Sequence, residues 1–418
     1  MTSSSHSTSK KSDYLLESAK RRQENDDTLS GTNLERAGDH NQRVTLQAIR
    51  AHGPITRTDL AEITGLTAPA IANITKRLMG ENLVLKAGRL IGGRGQPATK
   101  LEINPQGAYS IGLNIDRDHI TLVALDFTGS VCARTCLEIA FPSPQDVLKF
   151  FKQGVEDIIA QKSIIKDRLV GLGIGIPDDM GKVHLPGQPE DYNVWQYTDI
   201  SELLSPVLDV PVFIENDAAA AAIGELQFGH GLRSKSFFYV LITAGIGGGL
   251  VINGQYFRGA NGRSGEIGFL PDMGASGIAQ SDDVLGDAVL MGRLFEQLRA
   301  KGIKAYAPDD LTHLPPEGLA VLDTWIEHAA AHLSPALLTL GIGINPEAIY
   351  IGGRLPHDII ARLCQVIMNK FDAVRHKVPQ ITPVETAILA TDATAIGAGI
   401  LPFNHRLLPN REVLMKTA

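Results

Sequence analysis

TAGIGGGLVINGQYFRGANGRSGEIG, Thr243–Gly268, is the stretch whose setting decides the fold. An apolar strand, Phe237–Thr243, runs into glycines at Gly245, Gly247, Gly248 and Gly249, and a second strand, Leu250–Asn253, leaves them. Glu266 follows among further glycines. Backbone without side chains can bring its N–H groups up to an anionic or polyhydroxyl ligand. The same pattern also fits a plain hairpin turn, so the rest of the chain has to choose between them.

Just upstream, IENDAAAAAIGE (Ile214–Glu225) sets Asn216 and Asp217 where a short strand, Val212–Ile214, meets a helix, Asp217–Gln227. A carboxylate there faces a cleft and can take a proton from, or bond, a substrate hydroxyl. Capping of the helix by either residue fits the local sequence equally well. The alanine run suits close helix packing.

Further upstream, Tyr109–Asp116, His119–Asp126 and Ser130–Phe141 alternate as three antiparallel strands, followed by an amphipathic helix, Val147–Gln161, and a buried strand, Leu169–Ile176. Downstream of the glycine block come helices near Val284–Arg299 and Gly318–Leu340. A strand at Ile349–Ile351, a helix at Pro356–Phe371, a strand at Val384–Leu389 and a helix at Ala393–Ile400 complete the order. Two successive halves of this kind predict a duplicated α/β fold with a cleft between lobes.

The N-terminal part is different. Residues 1–40 are polar and poor in β-branched and aromatic side chains, which predicts a disordered tail. Between 41 and 104 the pattern predicts a winged helix-turn-helix. A helix is ended by His52–Pro54, a second spans Thr58–Thr64 with Gly65 as its stop, and Thr67 caps a third with Ile71, Ile74 and Leu78 inward. Leu83–Lys86 and Lys100–Ile103 form the wing. The outer face of the third helix carries Ala68, Ala70, Ala72, Asn73, Lys76 and Arg77: small residues that let it sit deep in a major groove, an amide for adenine, and cations for phosphate. Thr56, Arg57 and Thr58 open the second helix toward backbone phosphate, and Arg94, in a Gly-Arg-Gly-Gln-Pro setting, suits a minor groove. Thr56, Arg57, Thr58, Thr67, Ala70, Asn73, Lys76, Arg77 and Arg94 are therefore the expected DNA contacts.

Bulk properties agree. At 418 residues the chain exceeds one core. Its formal charge of −7 conceals a mildly basic N-terminal part on an acidic body. Three cysteines, Cys132, Cys136 and Cys364, are too few and too scattered for a disulfide framework or a metal cluster, and Cys132 and Cys136 are expected to be buried. There is no apolar run of about 18 residues and no secretory leader, so a cytoplasmic protein without membrane contact is expected.

The winged helix, ENDA at Glu215–Ala218, the Thr243–Gly268 block and PEAIYIGGRLP (Pro346–Pro356), in that order, resemble the ROK family of sugar kinases and sugar-responsive repressors. The likeness runs from about Asn41 to Ile400. It implies a two-lobed actin/hexokinase-like ATPase (ribonuclease H-like) fold behind the winged helix. Lobe 1 would span 105–225, completed by a helix at 390–402, and lobe 2 would span 226–389. It implies sugar contacts from Asn216, Asp217 and Glu266, and less clearly from Asn193. In the family's kinases the position of Asp217 is the catalytic base; in its repressors it holds the inducer.

Two departures matter. The kinases' first phosphate loop, D-x-G-G-T-K, is here Asn114-Ile115-Asp116-Arg117-Asp118-His119. Side chains replace both glycines, and the new carboxylates would repel a triphosphate. Where many members carry a zinc-ligating His this chain has Phe269, followed by no cysteine cluster. Phe269 would stack on a sugar or, slightly favoured, pack where the metal loop was. The expectation is a non-enzymatic repressor with no metal or cofactor, bound to operator DNA and to a sugar or sugar-derived effector. It is expected to be a homodimer or homotetramer joined through the helices near Val284–Arg299 and Gly318–Leu340. The competing expectation is an ATP-dependent sugar kinase fused to a regulatory DNA-binding domain.

Overall fold

The computed structural model describes residues 34–89, 98–178, 180–182, 188–274, 284–389 and 392–409. The expected tail up to residue 33 and Arg94 lie outside them. The first helix, Leu34–His52, begins ahead of the boundary expected at residue 41. Helix Arg57–Thr64 starts in a capping box between Thr56 and Asp59 and stops at Gly65, whose φ of 68° few side chains tolerate. Helix Ala68–Gly80 is capped by Thr67. The three helices close on Leu46, Ile49, Leu60, Ile71 and Leu78, all buried. A short strand, β1 (Ile55–Thr56), which the sequence did not suggest, pairs with β3 (Thr99–Ile103). The wing strand β2 (Val84–Arg89) lies on the far side of β3.

The body contains one topology twice. In the first sheet β4 (Tyr109–Ile115), β5 (His119–Asp126) and β6 (Val131–Glu138) form an antiparallel meander, with β7 (Leu169–Gly175) and β8 (Val212–Glu215) parallel beyond β4. The spatial order is β6-β5-β4-β7-β8. In the second, β9 (Phe237–Ile242), β10 (Ile246–Ile252) and β11 (Gln255–Tyr256) are the meander, with β12 (Ala348–Gly353) and β13 (Val384–Thr386) beyond, in the order β11-β10-β9-β12-β13. Strands β4, β9 and β12, covered on both faces, are buried along their whole length. Because β6 is a sheet edge, Cys132 is exposed and Cys136 half-buried, against the expectation that both are buried.

Two helices of small residues join these sheets. Asp217–Phe228 crosses Ala393–Arg406 so closely that a Cβ on Gly397 would stand 1.7 Å from the Ala220 carbonyl. The same terminal helix lies on the first sheet, where a Cβ on Gly173 would meet the Ala398 carbonyl at 1.7 Å. The helices expected to make a subunit interface turn their apolar faces inward. Met291, Leu294 and Leu298 on Met291–Ala300, and Leu322, Trp325, Leu333 and Leu337 on Pro316–Ile344, are buried in the second lobe's own core. Their hydrophobicity is accounted for there.

The winged helix shares a core with the first lobe, Leu46 and Ile49 joining Ile223, Ile400 and Phe403. Arg43 donates to the backbone oxygens of His405 (2.8 Å) and Leu408 (3.2 Å). Arg50 donates to Gln227 Oε1 at 2.7 Å and lies over the Phe228 ring at 4.4 Å. Among the described residues no helix is long and apolar enough to cross a membrane.

Candidate functional site

Three of the opening segment's glycines are not a loop between strands. Gly247, Gly248 and Gly249 lie inside β10 and alternate in direction, as strand residues must. On one face a Cβ on Gly247 would approach Ala218 Cβ to 2.9 Å and one on Gly249 would reach Ala222 Cβ at 2.5 Å. The helix Asp217–Phe228 therefore rests directly on the strand. On the other face a Cβ on Gly248 would stand 2.6 Å from the Gly265 carbonyl, so the segment before Glu266 is laid onto the same strand. The two faces of β10 thus seat the two elements that bear Asp217 and Glu266.

Asn216 caps its helix: Oδ1 accepts from Ala218 N (3.0 Å) and Ala219 N (3.1 Å), leaving the Nδ2 donors for a ligand. Asp217 Oδ1 accepts from Ala218 N at 2.8 Å. Burial first, then the charge of Asp116, pushes the Asp217 carboxyl up to about 7, with Arg117 opposing and Glu266 adding to the rise. Glu266 is half-buried, with Arg263 at 3.5 Å. Asn193 is exposed on the 3-10 helix Glu190–Tyr197. Its neighbour Tyr192 is the residue turned inward, buried, with the charges of Arg117 and Asp116 acting on it.

The altered first loop is the β4–β5 turn. Asp116 is 1% exposed, and its Oδ2 has no hydrogen-bond partner. Asn114 Oδ1 and the Tyr192 hydroxyl are likewise buried and unpartnered. These three atoms, on segments whose charges act on Asp217 or Arg117, are the site features the sequence reading missed. The exchange of the family's Asp for Asn114 was their visible trace. Arg117 reaches toward the other lobe, its Nη1 3.8 Å from where a Cβ on Gly245 would stand. Asp118 also crosses: it takes a hydrogen bond from Arg354 at 3.0 Å and another from His119 at 2.6 Å, while Arg354 also pairs with Glu138. Burial would raise the Asp118 carboxyl, but His119 and Arg354 together hold it below its usual value. Its charge is compensated, which corrects the expectation of two free carboxylates facing a phosphate. Asp116, Asp118 and His119 lie within 4.8 Å of one another, but Asp118 and His119 are already committed to Arg354, Asn114 and each other. Phe269 exposes 53% of its surface, so the favoured expectation that it packs is not met.

On the winged helix, Thr58, Thr67, Asn73, Lys76 and Arg77 are exposed and Ala70 half-exposed, all but Thr58 on or at the start of the third helix. Thr56 is turned inward, 5% exposed, its hydroxyl donating to Asp59 Oδ2 at 2.8 Å, and so is a cap rather than a phosphate contact. Arg57 Nε donates to Thr75 Oγ1 at 2.8 Å, tying the second helix to the third.

A model of the ROK family matches residues 110–404, and one described as winged helix-turn-helix DNA-binding matches residues 39–84. An uncharacterised protein of Sinorhizobium fredii is 28% identical over 367 residues, 87% of this chain and 90% of its own. The xylose repressor of Bacillus spizizenii is 31% identical over 230 residues, 55% of this chain and 60% of its own. The DNA-binding transcriptional dual regulator NagC of Escherichia coli is 24% identical over 337 residues, 75% of this chain and 80% of its own. Among solved structures, a ROK family transcriptional regulator described as a homologue of the E. coli MLC protein aligns with a TM-score of 0.62 at 20% identity, covering 88% of this chain and 96% of its own. A ROK family glucokinase from Streptomyces griseus, in complex with glucose and AMPPNP, aligns at 0.51 and 18% identity, covering 70% and 99%. At those identities the two structures establish the fold alone.

Proposed function

Because the chain belongs to the ROK family, we propose that it is a DNA-binding transcriptional repressor of carbohydrate uptake and catabolism genes. A sugar or sugar derivative held between the lobes sets its operator affinity. The observation that carries this is one helix with two uses. Asp217–Phe228 begins at Asn216 and Asp217 in the cleft and ends at Gln227 and Phe228, which Arg50 of the winged helix holds. Its twelve residues span about 18 Å. A hydroxyl ligand bonded by Asn216 Nδ2, Asp217 and Glu266 loads one end, and the DNA-binding unit reads the other. The ligand shifts operator affinity only by the difference between its binding to the two states. In the dimer or tetramer we infer, that difference changes the placement of paired third helices on two half-sites.

The kinase reading has less support. Arg117 and Asp118 cross the space between the two lobes' first hairpins, where a nucleotide's phosphates would need open backbone. The test is a panel of sugars with ATP in a coupled assay, beside selection of a DNA site from a random pool. No turnover is expected, with binding to the selected site. Asn73→Ala should relax base preference at one position, whereas Lys76→Ala should weaken all sequences alike and lower the salt dependence. Turnover that disappears in Asp217→Asn would replace this reading with the kinase.

A further inference from the structure

In the second lobe, helices Met291–Ala300 and Pro316–Ile344 face each other across a depression of about 120 Å³. Its walls are Arg293 and Gln297, one turn apart on the first helix, and Thr324 and His328, one turn apart on the second; Trp325 and Ala288 complete it. Arg293 and Gln297 present N–H donors to it, the Thr324 hydroxyl gives its hydrogen to the Ala320 carbonyl at 2.9 Å, and no carboxylate lines it among the described residues. Trp325 is 3% exposed, and its indole N–H is buried without an acceptor among the described residues. Leaving such a donor unmet is costly, and indole N–H is a donor only. Arg293 makes no ion pair among the described residues. Asp323 pairs with Arg362, Glu327 with Lys370 at 3.4 Å, and Asp272 with His332 at 2.7 Å. His328 is anchored by a hydrogen bond with the Ala288 backbone.

We propose that this depression is an oxyanion site for phosphate or a phosphomonoester, held by the Arg293 guanidinium, the Trp325 N–H and the Gln297 amide hydrogens. An oxygen supplied from outside meets the buried indole donor that the described residues leave unmatched. A guanidinium at the mouth then provides the charge-assisted bonds that make phosphate recognition strong. The site does not depend on the effector cleft, since no residue is shared.

The test is calorimetric titration of the full chain with inorganic phosphate and with glycerol phosphate, at ionic strength matched by chloride. Saturable binding of one equivalent is expected, weakened about tenfold in Arg293→Gln, where a charged hydrogen bond is lost. Trp325→Phe, which keeps the ring, should weaken it less, and Asp217→Asn should leave it unchanged. The better-bound of the two probes identifies whether the free ion or a monoester is the natural occupant. Absence of saturation by both, equal binding by parent and Arg293→Gln, or loss of binding in Asp217→Asn would each overturn the site.

Discussion

The β4–β5 and β9–β10 turns occupy the same station in two sheets of identical topology, yet they are built from opposite materials. The first carries Asp116, Arg117, Asp118 and His119, and two of these side chains extend toward the other lobe, Asp118 bonding Arg354 and Arg117 approaching Gly245. The second turns at Thr243–Gly245 and continues into glycines. The contrast separates glycines held by packing from a turn held by side chains. The glycines of β10 are required by what packs on them, Ala218 and Ala222 on one face and Gly265 on the other, whether or not a nucleotide ever arrives. The first turn instead forms a strap between the lobes through Asp118 and Arg354.

The comparison predicts that the strap's cation matters most. Arg354 is 6% exposed between Asp118 and Glu138, and Arg354→Met should cost about 3 kcal/mol, leaving Asp118 uncompensated in a thermal or urea unfolding curve. A curve unchanged by Arg354→Met would mean the lobes are not strapped. Adding a methyl to the second turn's strand comes next. Gly249→Ala should cost roughly 2 kcal/mol against Ala222, while Arg117→Gly, which removes a side chain from the first turn, should stay within about 0.5 kcal/mol. Equal costs would erase the distinction between the turns.

Asp217 gives a smaller, pH-dependent effect. Its folded pKa of about 7 lies above the unfolded carboxylate value, so the native state holds the extra proton between them. Stability should therefore fall as pH rises from about 4 to about 7. Asp217→Asn should flatten that slope and be more stable than the parent above neutrality. A parent slope retained in the variant would place the titration elsewhere. Smallest is Arg50→Ala, which should leave sugar binding intact and reduce its effect on DNA affinity by about 1 kcal/mol of coupling, measured as the ratio of DNA dissociation constants with and without sugar.

Much of this was legible in the chain. The winged helix followed from caps and breakers at Thr67, Gly65 and His52–Pro54, which act locally and therefore show in the sequence. The duplicated lobes followed from alternation in Tyr109–Asp126 and Phe237–Asn253. What escaped depended on distant partners. A two-residue strand at Ile55 exists only because Leu101 pairs with it. Thr56 is the exception: Asp59, three residues on, completes a capping box that the local sequence already offered, and the reading of Thr56 as a phosphate contact passed it over. The glycines of β10 looked like a ligand cradle because the alanines that press on them lie about thirty residues away in sequence. Asp118 looked like a free charge until Arg354, from the other lobe, was seen beside it. The proposed sugar contacts Asn216, Asp217 and Glu266 came as a set from resemblance, whereas the unpartnered Asp116, Asn114 and Tyr192 atoms required the folded arrangement.

The central claim is that occupancy of the cleft governs DNA binding. Its most direct test is fluorescence anisotropy of the DNA site selected by the parent chain, titrated at fixed salt with and without the sugar that most raises the protein's melting temperature. The account predicts a DNA affinity lowered at least tenfold by that sugar in the parent and unaltered by it in Asp217→Asn. Equal DNA affinity with and without every sugar tried, in a parent that binds the sugar, would contradict it.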